Sequence, residues 1–560
     1  MQHWIQHYNA DKARDDALAA VIVTVMLIPQ SLAYAMLAGL PAEVGLYASI
    51  LPLVAYAIFG TSMTLAVGPV AVISLMTATS VGAVAGGDSQ VYLGAAVLLA
   101  LMSGGFMIIL GFMRAGFLAS LLSHPVISGF ISASAILIAV SQFKHLLGIE
   151  ASGHSLPQLM ANLFENLHQF SWPTFLLGAA CLAFLVWVRG GLKPLLMRLG
   201  ITEKRAGTLA KLGPMLAVIA STAVVYAFEL DQAGIAIVGQ IPAGLPIPSL
   251  PSIDFSLARE LWPAAMLISL IGFVESVSVG HTLAAKRRER IQPNRELLGL
   301  GAANIASGMG GGFPVTGGFS RSVVNFDAGA RTPMAGVFTS VLIGITALSL
   351  TPLFTYLPKA VLAATVIVAV VSLVDLKAIH HVLKFSKQDS LAMGITIVMV
   401  LAAGVELGIA AGIACSILCL LMQVARPHVA EIGQIEGTEH YRNIKRHEVA
   451  QDPHTVSIRF DERLHFLNSQ QLEDTAGELL ARPGLKHVIL HCGAINQVDA
   501  SGLDALEAVN DRLKAAGICL HLSEVKGPVM DRLKHSDLLE HLGGSVHLSH
   551  HQATQAVRAS

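Results

Sequence analysis

The sequence predicts a polytopic α-helical membrane protein that ends in a small α/β domain, and three observations carry that expectation. Apolar runs at residues 17–37, 91–112, 173–188 and 391–424 have bilayer-spanning length, a crossing taking about 20 residues of helix. Only 13% of the 560 residues are charged and 54% are hydrophobic, against about 25% charged in soluble globular chains. After Arg426-Pro427 the composition turns polar, and soluble strand and helix patterns take over.

Residues 1–16 are polar and read as a cytoplasmic N-terminal segment, and residues 17–426 as the transmembrane domain. Spans are expected near 17–37, 42–59, 69–83, 91–113, 124–144, 173–188, 212–229, 262–285, 297–309, 319–326, 334–351, 359–374, 388–403 and 407–425. The first run continues through Pro29 and Gln30 without a small-residue cleavage site, so it reads as a span and not a signal peptide. Run 391–424 is too long for one crossing, and Gly404-Val405-Glu406 is its natural turn. About 14 spans divide into a 7+7 arrangement, with the two short ones, opening at Gly68-Pro69 and at Phe319, third in each half. An odd number of spans per half inverts the second half, and interrupted helices then meet near the bilayer midplane.

Charge placement agrees with this count. With a cytoplasmic N-terminus, Arg189, Lys193, Arg198, Lys204, Arg205, Lys211, Lys286, Arg287, Arg288, Arg290, Lys377, Lys384 and Lys387 all fall inside. The outer stretches 145–172 and 229–258 contain no Lys or Arg. Positive residues collect on the cytoplasmic side of membrane proteins, so both termini are expected there. A net charge of -1 leaves no electrostatic footprint for nucleic acid.

Residues 427–454 read as a linker or lead-in strand, and 455–560 as one βαβα domain. Strands are expected at 456–460, 487–492 and 518–522, and helices at 469–481, 501–515 and 529–542. His541, His547, His550 and His551 near the end read as a solvated tail, with metal binding as the alternative. The five cysteines are scattered, and Cys415 and Cys419, one turn apart, read as packing and not as a metal site. No metal or other cofactor is expected.

Gly308–Ser322 joins glycine-rich backbone to Ser320-Arg321-Ser322 inside an apolar chain. Irregular backbone at membrane depth survives only where protein buries it or it lines a cavity, and an intramembrane Arg marks a functional site. The stretch reads as an anion seat.

Ile28-Pro29-Gln30-Ser31-Leu32-Ala33-Tyr34-Ala35, Gly39-Leu40-Pro41 and Gly45-Leu46-Tyr47 resemble the signature of the SulP sulfate-permease family. Val67-Gly68-Pro69-Val70-Ala71, Asn294–Gly301 with Asn304, and Ser320-Arg321-Ser322 resemble it too, and the tail is similar to a STAS domain. The resemblance implies core and gate domains drawn from both halves, the third and tenth spans facing each other across the substrate, elevator-like movement and a homodimer. Glu275-Ser276 with Arg321 is similar to proton-coupled sulfate transporters of the plant type. Sodium-coupled bicarbonate members tend to carry Asp at that position and lack the Arg, and dicarboxylates such as fumarate remain open as substrates.

An oxyanion at the midplane must exchange water for fixed donors. Val70 and Ala71 at one helix start, and Phe319 and Ser320 at the other, would offer backbone N–H groups; Ser320 adds a hydroxyl and Arg321 a charge. Gln30 and Tyr34, one turn apart on the first span, reach the same wall. Close packing of the glycines and ordinary interhelical hydrogen bonds from Gln30 and Tyr34 are the competing readings. Glu275 stands about 20 Å into its span, counted from Trp262. It is expected to pair with Arg321 without substrate and to be protonated with substrate bound, coupling uptake to protons; a permanent ion pair is the alternative.

In the tail, Asp499 is positioned to cap a helix, and Ser501 falls where related soluble STAS proteins are phosphorylated, so it is a candidate regulatory site. The expected function is proton-coupled sulfate uptake by a secondary active transporter. Its partners would be a small anion, protons, the lipid bilayer and a second copy, in the bacterial inner (plasma) membrane. Transport of another anion, a channel and a transport-dead sensor are the rivals. An enzyme is disfavoured because the membrane half shows neither a nucleophile–base set nor a Walker-type loop.

Overall fold

The computed structural model describes Trp4 and residues 8–85, 88–120, 123–246 and 254–559, without the side chains of residues 120, 204, 205, 208 and 211. Part of the N-terminal segment, the outer stretch at 247–253 and the side chains of Lys204, Arg205 and Lys211 therefore lie outside the described residues. The chain divides into two compact units, Met1–Ser416 and Ile417–Ser560. The division falls inside the helix Val405–Ala425 and not at the expected boundary of 426.

The first unit is helical. All fourteen expected spans fall on helix, but among the described residues nine helical stretches are long and apolar enough to cross a membrane. Ala71–Val84 and Gly213–Ala227 are shorter apolar helices. The segments at 297–309, 319–326 and 388–403 lie on helices in neither class. The helix that carries the first expected span begins at Ala10, inside the expected polar segment, because Asn9 caps it by accepting from the Lys12 amide at 3.0 Å. Buried Asp16 then pins this helix to a distant turn, accepting from the Arg331 and Thr332 amides at 2.6 and 3.0 Å. Run 391–424 breaks where expected, at Gly404 with φ +97°.

Helices Ser89–Phe112 and Pro293–Met309 approach most closely where Gly104 and Gly301 meet. A Cβ on either would stand 2.7 or 2.9 Å from the other's carbonyl oxygen, and small residues permit such backbone contact in membranes.

The second unit is a six-stranded sheet in the order β4-β3-β5-β6-β7-β8. Its strands are β3 (Val429–Gln434), β4 (Tyr441–Asn443), β5 (Thr455–Phe460), β6 (His487–His491), β7 (Cys519–Ser523) and β8 (Val546–His547); two further strands, β1 and β2, belong to the first unit. β5 to β8 run parallel, and β3 is antiparallel to both its neighbours. Residues 427–454 are thus no free linker: β3 and β4 extend the sheet. The helix expected at 529–542 is two short ones, Gly527–Leu533 and Leu538–His541, separated by a turn.

The histidine-rich end is not a solvated tail. It forms β8 and the helix His550–Arg558, and His550 is buried. The Ser523 and Ser457 hydroxyls lie 2.8 and 3.1 Å from its two ring nitrogens, an arrangement that suits a neutral imidazole acting once as donor and once as acceptor. Burial, with His491 beside it, pushes His550 down to about 3. Burial, with His487 and His547 nearby, pushes His521 down to about 4.

A histidine depressed in the fold stays neutral while its unfolded counterpart protonates below about 6.5. Stability is therefore independent of these groups above that pH and falls as pH drops through the window towards their folded values, by at most about 1.4 kcal/mol per histidine per pH unit. Hydrogen exchange on the full chain, corrected for intrinsic rates, should show β8 and the last helix losing protection as pH falls below about 6.5 towards about 4, with no change above that window. His550→Gln should flatten that dependence.

Candidate functional site

Two short strands meet inside the helical unit. β1 (Val67–Gly68) pairs antiparallel with β2 (Thr316–Gly317), Val67 opposite Gly317 and Gly68 opposite Thr316. Each strand runs into the start of a short helix, Ala71–Val84 after β1 and Phe319–Asp327 after β2. Neither start is capped by a side chain: Val70 and Gly318 hold the cap positions in extended geometry. The first N–H groups of a helix have no intrahelical acceptor and carry the positive end of its dipole. Val70, Ala71, Phe319 and Ser320 stand at these two starts, where the sequence assigned them.

Extended backbone among apolar helices needs partners of its own, and buried side chains provide them. Asn304 accepts from the Val315 amide and donates to the Val315 carbonyl, both at 2.9 Å. The Ser276 hydroxyl accepts from the Gly317 amide at 2.9 Å, and the Thr316 hydroxyl donates to the Gly272 carbonyl at 2.6 Å. Ser322 accepts from the Ala66 amide at 2.9 Å and donates to the Gly318 carbonyl at 2.7 Å. Asn325 donates to the Thr64 carbonyl at 3.0 Å. Upstream of β1, buried Glu296 accepts from the Tyr56 hydroxyl at 2.8 Å and from the Thr61 and Ser62 amides at 2.7 and 3.1 Å.

Arg321 is the exception to this satisfaction. It is 3% exposed, and none of its three guanidinium nitrogens has a hydrogen-bond partner among the described residues. The group lies against the ribbon: a Cβ on Gly68 would stand 3.1 Å from Nη1, and one on Gly318 would stand 3.0 Å from Nη2. The titratable groups within its electrostatic reach are Tyr34 and Glu275. Tyr34 is buried and Glu275 half-buried. Among the described residues Glu275 acts on Arg321 at a distance and makes no hydrogen bond to its guanidinium. Gln30 and Ser320 line a common cavity of about 250 Å³, which Tyr34, Glu275 and Arg321 do not line. Gly308 packs against Leu101, so for this glycine the packing reading holds.

In the second unit, Asp499 accepts from the Gly502 amide at 2.8 Å and caps the helix Ala500–Ala515, with Ser501 half-buried in its first turn.

Sequence reasoning missed the ribbon's supports. Ser276, Glu296, Asn304 and Ser322 appeared only as parts of motifs, and Asn325 had no role. The available signal was a polar residue within an apolar helix, which demands a partner.

The sulfate permease family model matches residues 14–396, and the STAS domain model matches residues 446–553. The chain is 35% identical over 554 residues to "Sulfate transporter 4.1, chloroplastic" of Arabidopsis thaliana, covering 96% of this chain and 79% of that protein. It is 33% identical over 561 residues to "High affinity sulfate transporter 2" of Stylosanthes hamata, covering 96% and 83%. Among solved structures it resembles murine Solute Carrier 26 family member A9 in the inward-facing state, with a TM-score of 0.89 at 23% identity, over 100% of this chain and 93% of that one. It also resembles the transmembrane domain of a cyanobacterium bicarbonate transporter, with a TM-score of 0.61 at 22% identity, over 73% and 98%. These two likenesses establish the fold.

Gly318 has φ −81°, so Gly318→Ala fits the backbone and pushes only on the Arg321 guanidinium. It should weaken anion binding on the order of tenfold while leaving thermal stability near wild type. Asn304→Ala should do the reverse, costing about 1–3 kcal/mol of stability by orphaning the Val315 amide. Thermal unfolding in detergent, with and without sulfate, separates the two.

Proposed function

The chain belongs to the sulfate permease family and carries a C-terminal STAS domain, and we propose that it is a secondary active transporter that takes up sulfate with protons. The observation that carries this reading is Arg321: a full charge at 3% exposure with no hydrogen-bond partner among the described residues. An isolated buried charge costs many kcal/mol, and an oxyanion seated before the two uncapped helix starts would remove that cost. Val70, Ala71, Phe319 and Ser320 would donate from backbone and hydroxyl, Arg321 would supply the charge, and Gln30 and Tyr34 would form the wall. The names of the plant relatives support sulfate as the anion.

Glu275 is the proton-coupling residue in this reading. It lies within Arg321's electrostatic reach without being paired to it, so substrate and proton can exchange places beside one cation. Movement is elevator-like, with about 14 spans in a 7+7 inverted repeat forming core and gate. The pairing of β1 with β2, each preceding a short helix, supports the repeat. The working unit is a homodimer in the bacterial inner membrane with both termini cytoplasmic; the charge asymmetry supports that orientation. Ser501 remains a candidate regulatory phosphosite, where an added phosphate would sit beside a helix start.

The test is uptake of labelled sulfate, bicarbonate and fumarate into proteoliposomes under imposed proton or sodium gradients. Saturable sulfate uptake driven by an inward proton gradient is expected, with Arg321→Gln losing it by at least about 100-fold. Glu275→Gln should keep exchange but lose the dependence on pH. Pumping by that variant at wild-type pH dependence would remove Glu275 from the coupling, and sodium-driven bicarbonate uptake alone would replace the sulfate reading.

A further inference from the structure

The cavity shared by Gln30 and Ser320 has a third polar wall that neither the motifs nor the anion seat explain. Besides these two, its polar lining among the described residues is Arg189 and Thr365, and Arg189 is the charged one of them. The Thr365 hydroxyl already donates to the Leu362 carbonyl at 2.7 Å. Arg189, at first assigned only to the cytoplasmic charge pattern, makes no hydrogen bond or ion pair with the described residues.

Local sequence explains why a cation stands there. Helix Trp172–Trp187 continues as a π turn, Val188–Leu192, and then as the helix Lys193–Arg198. Pro194 has no N–H to return to Gly190, so the regular ladder fails at this point and the wider turn absorbs the mismatch. Val188 stays buried while Arg189 is exposed, and both line the cavity.

We propose that Arg189 is a second cationic station on the anion path, receiving a tetrahedral oxyanion as it leaves Arg321 and sharing it with the Ser320 hydroxyl. The assignment rests on the reading of the chain as an anion transporter. An anion held by Arg321 and two helix starts needs a second, shallower well in order to leave, since passage requires binding weak enough, or spread over enough sites, to release. Ser320 belongs to both wells: it opens the helix that carries Arg321 and lines the cavity that holds Arg189. Arg189 lines the cavity together with Leu185 and Val188, so its aliphatic stem has apolar neighbours in the same wall and its guanidinium is the charged group offered there.

The first test does not depend on transport. The full chain in nanodiscs is treated with phenylglyoxal, and arginine modification is read peptide by peptide by mass spectrometry. Sulfate should slow modification of Arg189 several-fold relative to chloride at equal ionic strength; equal rates would overturn the station. The second test uses oriented proteoliposomes. Arg189→Gln should raise KM for sulfate presented at the cytoplasmic face about tenfold and leave the opposite face within about twofold, with Arg189→Lys intermediate. A residue that merely anchors its helix to lipid headgroups would change both faces alike or neither, and either result overturns the proposal. A wild-type protein that moves none of the oxyanions sinks the transport reading, whereas the protection experiment still decides Arg189.

Discussion

Everything at the site depends on a two-residue ribbon held among apolar helices. Backbone N–H and C=O groups at membrane depth have no water to fall back on, and an unmet buried group costs about 1–3 kcal/mol. Asn304, Ser276, Thr316, Ser322 and Asn325 meet that demand around β1 and β2. Because they do, the two short helices can start at the ribbon with their first N–H groups free. The same ribbon presents Gly68 and Gly318 to the Arg321 guanidinium, where any larger residue would displace it. Among the described residues the ribbon's neutral groups are met and the Arg321 guanidinium is not, and that contrast is the ground for proposing an anion there.

Much of this was legible in the sequence. Gly68-Pro69 and the run Gly308–Gly318 break apolar helices in corresponding positions, and that alone located both helix starts to within a residue or two. What stayed hidden was the pairing between them. Two-residue strands carry no alternation, so periodicity has nothing to detect, and the Val67–Gly317 contact spans most of the membrane unit. Glu296 was visible only as part of a motif: its clamp on residues 61 and 62 is made by two backbone amides with the Thr61 hydroxyl, and the amides leave no mark on side-chain identity. In the STAS domain the strands with continuous apolar centres were found, whereas β8 is two residues long and the final helix is polar on most faces. Histidine there signalled solvent, but a pair of serines flanking His550 made burial of a neutral ring favourable.

In the proposed transport cycle two cations would divide the labour that one could not perform. Arg321 sits behind the ribbon, out of contact with solvent, where a low dielectric makes its field strong. Arg189 lines a cavity with Gln30 and Ser320, across from the helix that carries Arg321. Glu275, close enough to feel Arg321 and not bonded to it, adds a group whose charge can follow that of the substrate. The STAS domain contributes none of these residues, and its depressed histidines are expected to make its stability fall with acid.

The central claim is that an anion completes the coordination of Arg321. Selenate, a tetrahedral surrogate for sulfate with a strong anomalous signal, tests it most directly in crystals of the full chain. The account predicts an anomalous peak within hydrogen-bonding distance of the Arg321 guanidinium and of the first amides at Ala71 and Phe319, lost in Arg321→Gln. Selenate bound elsewhere at full occupancy, with Arg321 still free of it, would contradict the claim.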